Sequence, residues 1–274
     1  MEGASTDFLS RIDWDKPWLT RLRGLGEPIC ARPAHWRDAI NAQAQREQLC
    51  NHRGQRITFV KQELLPPEFG YEKFIGATGQ VPTRDNLHDF FNALIWLTFP
   101  RIKSQLNGLQ AAEIACRSAV VASAGQQPRG RLRDALTLFD ENAALVVASN
   151  PTIFAALRAH QWPTVFMTHR DDFGPRCEVV LFGHALLEKL VTPYKAITAH
   201  AWLVPVDTDY FQQSAHEKQA VLDDVIARHL DATMRSSDFT PLPVLGVPDW
   251  SEGQTEEFYA DAGVFRARRR APQC

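Results

Sequence analysis

Most of the short motifs by which a chain announces its chemistry are missing from this sequence. It has no G-x-G-x-x-G turn, no Walker-type glycine loop and no G-x-S-x-G elbow, so dinucleotide, P-loop and nucleophile-elbow chemistries have no foothold. Gly76-Ala77-Thr78-Gly79 reads as a loop without the lysine that a phosphate cradle needs. Cysteine is scarce: Cys30, Cys50, Cys116, Cys177 and Cys274 are scattered, odd in number and never spaced C-x-x-C. That excludes a zinc knuckle and a disulfide framework, and five reduced thiols are expected. A long hydrophobic run is also lacking. The most apolar stretch, Leu87 to Phe99, is too short to span a bilayer and carries His88, Asp89 and Asn92. Residues Met1 to Asp7 lack the basic-then-apolar order of a signal peptide. A cytoplasmic protein without membrane contact is therefore expected.

Excess charge of one sign is absent too. A formal net charge of -2 argues against a surface built to neutralise phosphate, so nucleic acid is not expected as a partner. The exception is a basic tail over 266–274, containing Arg266, Arg268, Arg269 and Arg270; its bland reading is a solvated chain end, and RNA contact is the weaker one. Hydrophobic residues at 45% and charged residues at 23% are those of a globular chain able to bury a core, which leaves out collagen-like, coiled-coil and mainly disordered classes. The whole chain reads as one domain of mixed α/β (α+β) class. Its N-terminal half is helical, with residues 1–55 as a helical extension packed on the rest. Its sheet comes mainly from the C-terminal half.

Local signals place the elements. Pro33 opens a helix to about Leu49, and a strand follows at Ile57 to Val60 before the breaker Pro66-Pro67. Thr83 and Asp85 are N-cap types ahead of a long apolar helical run that should end near Pro100. Asn107-Gly108 reads as a stop, with a second helix from Leu109 to Ser123 and a loop over 124–130. Ala135 to Phe139 is a short helix or strand that runs into a turn at Asp140-Glu141-Asn142. The apolar run Ala143 to Ala148 is a buried strand, and Asn150-Pro151 caps a helix. Strand Cys177 to Phe182, a tight turn at Gly183, helix His184 to Val191 and strand Ile197 to Val206 follow. Ser214 to Leu230 is an amphipathic surface helix, and Pro241 to Pro248 is extended.

The run from Asp85 is the most informative. At 100° per residue, Asp85, His88, Asp89, Asn92 and Trp96 share one side, and Phe90, Leu94, Leu97 and Thr98 the other. An exposed face would carry Lys, Glu, Gln or Arg, and none occurs between Leu87 and Pro100. The polar side is therefore covered, and its groups must satisfy one another or something bound. His88 with Asp89 supplies a general acid/base pair or part of a metal shell, with Asn92 one turn on. A buried network that only fixes helix packing needs the same residue types. A second cluster is Phe182-Gly183-His184-Ala185-Leu186-Leu187-Glu188, where His184 starts a helix whose free N–H groups favour an anion, and Glu188 lies one turn further on. A solvated Glu188 beside an N-terminal histidine fits equally. Asp140 and Glu141 either line a cleft or merely make a turn, and Arg84 either holds an anion or pairs with Asp85 or Glu72.

Three stretches, Val81 to Trp96, Ala135 to Asn142 and Phe182 to Glu188, together with Pro241 to Gly246 and Phe258 to Arg266, resemble an uncharacterised proteobacterial family known as a domain of unknown function (number 3025). The resemblance runs from about Tyr71 to Arg266. It implies a bacterial, cytoplasmic, single-domain protein and no activity. The family often has glycine where this chain has Ala143 and Asp249, and Ala143 disfavours a left-handed turn there.

The leading expectation is a hydrolase-type enzyme acting on a small molecule. Its catalytic candidates are His88, Asp89, Asn92, His184 and Glu188, and its substrate-binding candidates are Arg84, Asp140 and Glu141. A divalent metal ion is a possible cofactor, held by His88, Asp89, His184 and Glu188. Such a shared site requires His88 and His184 within about two side-chain lengths of each other. The competing expectation is a non-catalytic binding or assembly protein, with Trp14, Trp18, Trp36, Trp250, Phe258 and Tyr259 forming a partner surface.

Overall fold

A computed structural model describes residues 7–124 and 130–268. Two N-terminal helices, α1 (Thr20–Cys30) and α2 (Trp36–Arg46), lead to strand β1 (Thr58–Lys61). Helix α3 (Tyr71–Thr78) follows and ends on Gly79, whose left-handed φ of 72° turns the chain into β2 (Gln80–Thr83). Gly76 to Thr78 are thus helical instead of the expected loop. β1 and β2 form a small parallel pair, with Thr58 beside Gln80. The Asn41 amide of α2 satisfies β1 by bonding both the N–H and the carbonyl of Phe59.

Helix α4 (Leu87–Thr98) is the central helix. Its N-cap is Asn86, which accepts from Asp89 N; neither Thr83 nor Asp85 serves. Thr83 instead bonds its own strand, and Asp85 pairs with Arg37 and the Trp36 indole. Every residue of α4 except His88 is buried, as the missing Lys, Glu, Gln and Arg imply. α1, α2, α5 (Pro100–Ala124) and α8 (His184–Lys189) surround it.

α5 starts at Pro100 and runs straight through Asn107-Gly108, the expected stop. Both residues are used for packing. The Asn107 amide donates to the Glu72 carbonyl and carboxylate, and Gly108 lies under the His52 ring, where a Cβ would meet Cγ at 3.1 Å. Contacts of this kind outweigh the roughly 1 kcal/mol that glycine costs inside a helix. The expected loop over 124–130 falls largely on 125–129, outside the described residues.

α6 (Arg131–Asn142) corrects another expectation. Asp140, Glu141 and Asn142 form its last turn instead of a loop, and the chain passes directly into the fully buried β3 (Ala143–Ala148). Ala143 is extended, at φ −76° and ψ 143°, whereas Asp249 takes the left-handed φ of 67°. After α7 (Pro151–Arg158) come β4 (Cys177–Leu181), α8, β5 (Thr198–Pro205), α9 (Ala215–His229), β6 (Thr240–Pro243) and α10 (Glu256–Tyr259). The expected extended run Pro241–Pro248 is interrupted: Pro241 to Pro243 lie in β6, and Val244–Gly246 coil into a 3-10 turn.

The second sheet has the order β4-β3-β5-β6. β3 is antiparallel to β4 and parallel to β5, and β6 closes antiparallel on β5. This larger sheet comes entirely from the C-terminal half, and the N-terminal half supplies helices and the small β1–β2 pair. A single apolar core runs from Leu9 to Phe265 across both. Among the described residues no helix is long and apolar enough to cross a membrane, and Cys30, Cys50, Cys116 and Cys177 are free thiols.

Candidate functional site

Three chain segments deliver one polar cluster. His88 stands on the first turn of α4, Asp140 and Glu141 on the last turn of α6, and His184 at the start of α8. Gly183 lets α8 approach so closely: a Cβ there would lie 2.6 Å from the backbone of Asn142 and Ala143. The two imidazoles stack with centroids 4.5 Å apart, well inside the distance a shared site requires. Both Nε2 atoms face the Glu141 carboxylate, at 3.8 Å from His88 and 3.5 Å from His184. These separations exceed those of ordinary hydrogen bonds. The ligand atoms of His88, Glu141 and His184 all lie within 4.8 Å of one another. His184 is buried, whereas the His88 and Glu141 side chains keep 26% and 32% of their surface, so one side of the cluster is open.

Behind it lies a buried charge network. Lys103 Nζ on α5 donates to Asp140 Oδ1 at 2.5 Å and to Asn92 Oδ1 at 2.8 Å, and Asn92 Nδ2 donates to the Tyr71 hydroxyl. Electrostatics follow from this placement. Burial pushes Glu141 up to about 7, helped by the neighbouring Asp140 charge. Burial pushes His184 down to about 3, with Lys103 and His88 adding to the effect and Asp140 opposing it. Burial resists ionisation of Asp140, yet the Lys103 ammonium overrides it and holds this carboxyl below its ordinary range. Burial and Asp140 together raise Glu72. A neutral His184 offers a ring lone pair, the protonation state that metal ligation requires.

The other candidates divide sharply. Asp89 is adjacent to His88 in sequence but turned away from the cluster. Its carboxylate takes Arg84 Nε and Nη2 at 3.0 Å each and the Arg84 backbone N–H at 2.6 Å. Arg84 therefore pairs with Asp89, not with Asp85 or Glu72, and Asp89 is not one of the three converging ligands. Asn92 is committed to Lys103 and Tyr71 inside the network and cannot meet a substrate. Glu188, one turn beyond His184, is not among the three converging ligands; Glu141 supplies the carboxylate. Asp140 is buried, with its carboxylate on Lys103 and 3.8 Å from His184 Nδ1. Of the six aromatic residues assigned to a partner surface, Trp14, Trp18, Trp36 and Tyr259 are buried, and Trp250 and Phe258 are half-buried against the core, Trp250 on Trp18 with centroids 5.9 Å apart. The start of the basic tail is also tied down, since the Arg266 carbonyl accepts from the Trp162 indole; residues 269–274 lie outside the described chain.

Sequence reading missed Lys103, Tyr71 and Glu72. One signal was available for Lys103: it lies four residues after Phe99 and three before Leu106, both buried, where a lysine must find a partner. Five surface cavities, walled for example by Trp18 and Trp250 or by His160 and Trp162, lie elsewhere, and none is lined by His88, Glu141 or His184.

A family model described as a protein of unknown function (DUF3025) matches residues 57–269, a span that contains every residue of the cluster. No curated protein and no solved structure matches the chain.

Proposed function

This chain belongs to the DUF3025 family, and we propose that it is a metal-dependent enzyme of hydrolytic type, with His88, His184 and Glu141 as the metal ligands. One observation carries the reading. Two imidazole Nε2 atoms and one carboxylate oxygen converge on a point without hydrogen-bonding one another. Zinc-type ligand bonds of about 2.0–2.2 Å put neighbouring donor atoms roughly 3–3.5 Å apart. The observed 3.5 Å and 3.8 Å from Glu141 to the two histidines are close to that, and all three ligand atoms lie within 4.8 Å of one another. The half-buried Glu141 carboxylate beside Asp140 is also poorly placed to stay charged by itself, and a divalent cation would supply the missing counter-charge.

Two imidazoles and a carboxylate form a donor set suited to zinc or ferrous iron, with coordination positions left for water. An ion held by His88, His184 and Glu141 would supply Lewis acidity and lower the pKa of a bound water, the chemistry that hydrolysis of a carbonyl or phosphoryl compound uses. The open side, between His88 and Glu141, is where a substrate would approach.

The test is the metal content of the purified protein by plasma mass spectrometry, for wild type and for His88→Ala, His184→Ala and Glu141→Gln. The expected result is near one transition-metal ion per wild-type chain and a loss of most of it in each variant. Wild type that carries no metal, and takes up none on incubation with Zn²⁺, Fe²⁺ or Mn²⁺, removes the reading.

A further inference from the structure

Two buried charges stand directly behind His184, and neither belongs to the three converging ligands. Asp140 Oδ1 lies 3.8 Å from His184 Nδ1 and 2.5 Å from Lys103 Nζ. The ammonium is held in turn by Asn92 and lies 5.4 Å over the Trp96 ring, and Asn92 is fixed by Tyr71. The Lys103 and Asp140 side chains keep only 5% and 11% of their surface. A buried ion pair costs more in desolvation than an apolar pair of the same volume, so packing alone gives no reason for it.

Facing an imidazole does give a reason. A histidine that gives Nε2 to a metal carries its proton on Nδ1, and that N–H needs an acceptor. His184 Nδ1 is buried and makes no close hydrogen bond among the described residues; the Asp140 carboxylate, at 3.8 Å, and the backbone carbonyl of the same residue are the acceptors on its side. Resting on the metal reading above, we infer that Asp140, anchored by Lys103, is the positioning residue for His184. It fixes the ring's tautomer and direction and strengthens Nε2 as a donor. Lys103, Asn92 and Tyr71 act one step further back: they keep the carboxylate aimed at the ring, so four helices (α3, α4, α5 and α6) converge on one ligand atom.

The experiment uses the full chain loaded with Co²⁺, whose visible absorption reports ligand geometry. Chelator competition gives the affinity, and wild type is compared with Asp140→Ala, Asp140→Glu and Glu141→Gln. Wild type is expected to show visible bands at one Co²⁺ per chain. Asp140→Ala should shift those bands and weaken binding about 10–100-fold, as loss of an outer-shell partner does elsewhere. Asp140→Glu should recover part of both. A folded Asp140→Ala protein with wild-type bands and affinity overturns the positioning role and leaves the metal reading standing. Wild type that binds no Co²⁺ overturns both. If Asp140→Ala fails to fold because Lys103 is left buried and unpaired, Asp140→Ala combined with Lys103→Met carries the same comparison without the stranded charge.

Discussion

At the scale of single residues, adjacency in sequence misleads about role. His88 and Asp89 are neighbours, yet one faces the cluster and the other is consumed by Arg84 and the start of α4. Asp89→Ala should therefore destabilise the fold by about 1–3 kcal/mol, through the loss of charge-assisted hydrogen bonds to a buried acceptor. It should leave the metal content as in wild type. Denaturant unfolding and metal analysis of one preparation check both, and loss of metal with full stability would return Asp89 to the ligand set. The residue types His, Asp and Asn on a covered helix face were legible without coordinates, because no exposed face would omit Lys and Glu. Which of them shares a site was not, since periodicity gives the face of a helix and says nothing of the partner across it. The carboxylate that meets both histidines stands 53 positions after His88 and 43 before His184, beyond the reach of any local pattern.

At the scale of elements, the site depends on how closely α8 meets the junction of α6 and β3. Gly183 is required there for space, its φ of −61° being open to any residue. Gly183→Ala would drive a Cβ into the backbone of Asn142 and Ala143, which cannot rotate away as a side chain would. The expected cost is about 2 kcal/mol or more, together with weaker metal binding as His184 is pushed from Asp140 and Glu141. Thermal unfolding and a metal titration measure these; wild-type values in both would show that α8 is free to shift. Reading α6 as ending before Asp140 hid this arrangement. Asp, Glu and Asn are common turn residues, and here they instead close a helix whose inner side, Ala135, Leu136, Phe139 and Asp140, is buried.

At the scale of the whole molecule, one contact across 121 and 122 residues ties α9 to α5. The Asp223 carboxylate accepts from the backbone N–H groups of Arg101 and Ile102 at the start of α5. Burial pushes this carboxyl up to about 6, despite those two donors, from an ordinary 3.8. A folded value above the unfolded one means that the native state takes up the proton first. The Asp223 contribution to stability therefore rises as pH falls from 7 towards 4, with a slope approaching about 1.4 kcal/mol per pH unit between the two values. Unfolding free energies of wild type and Asp223→Asn at pH 7 and pH 5 should diverge in favour of wild type at the lower pH. A constant difference would mean that the helix terminus holds Asp223 ionised throughout. The sequence by itself determined the mixed α/β class, the buried strand β3, the amphipathic α9 and the covered polar face of α4, because each is written in local periodicity, capping and composition. Tertiary structure alone decided that Glu141 and His184 meet His88, that Lys103 and Asp140 stand behind them, and that Trp14, Trp18 and Trp36 are buried. Those outcomes depend on which covered faces pack together, and many pairings satisfy the same local pattern until the whole core is closed.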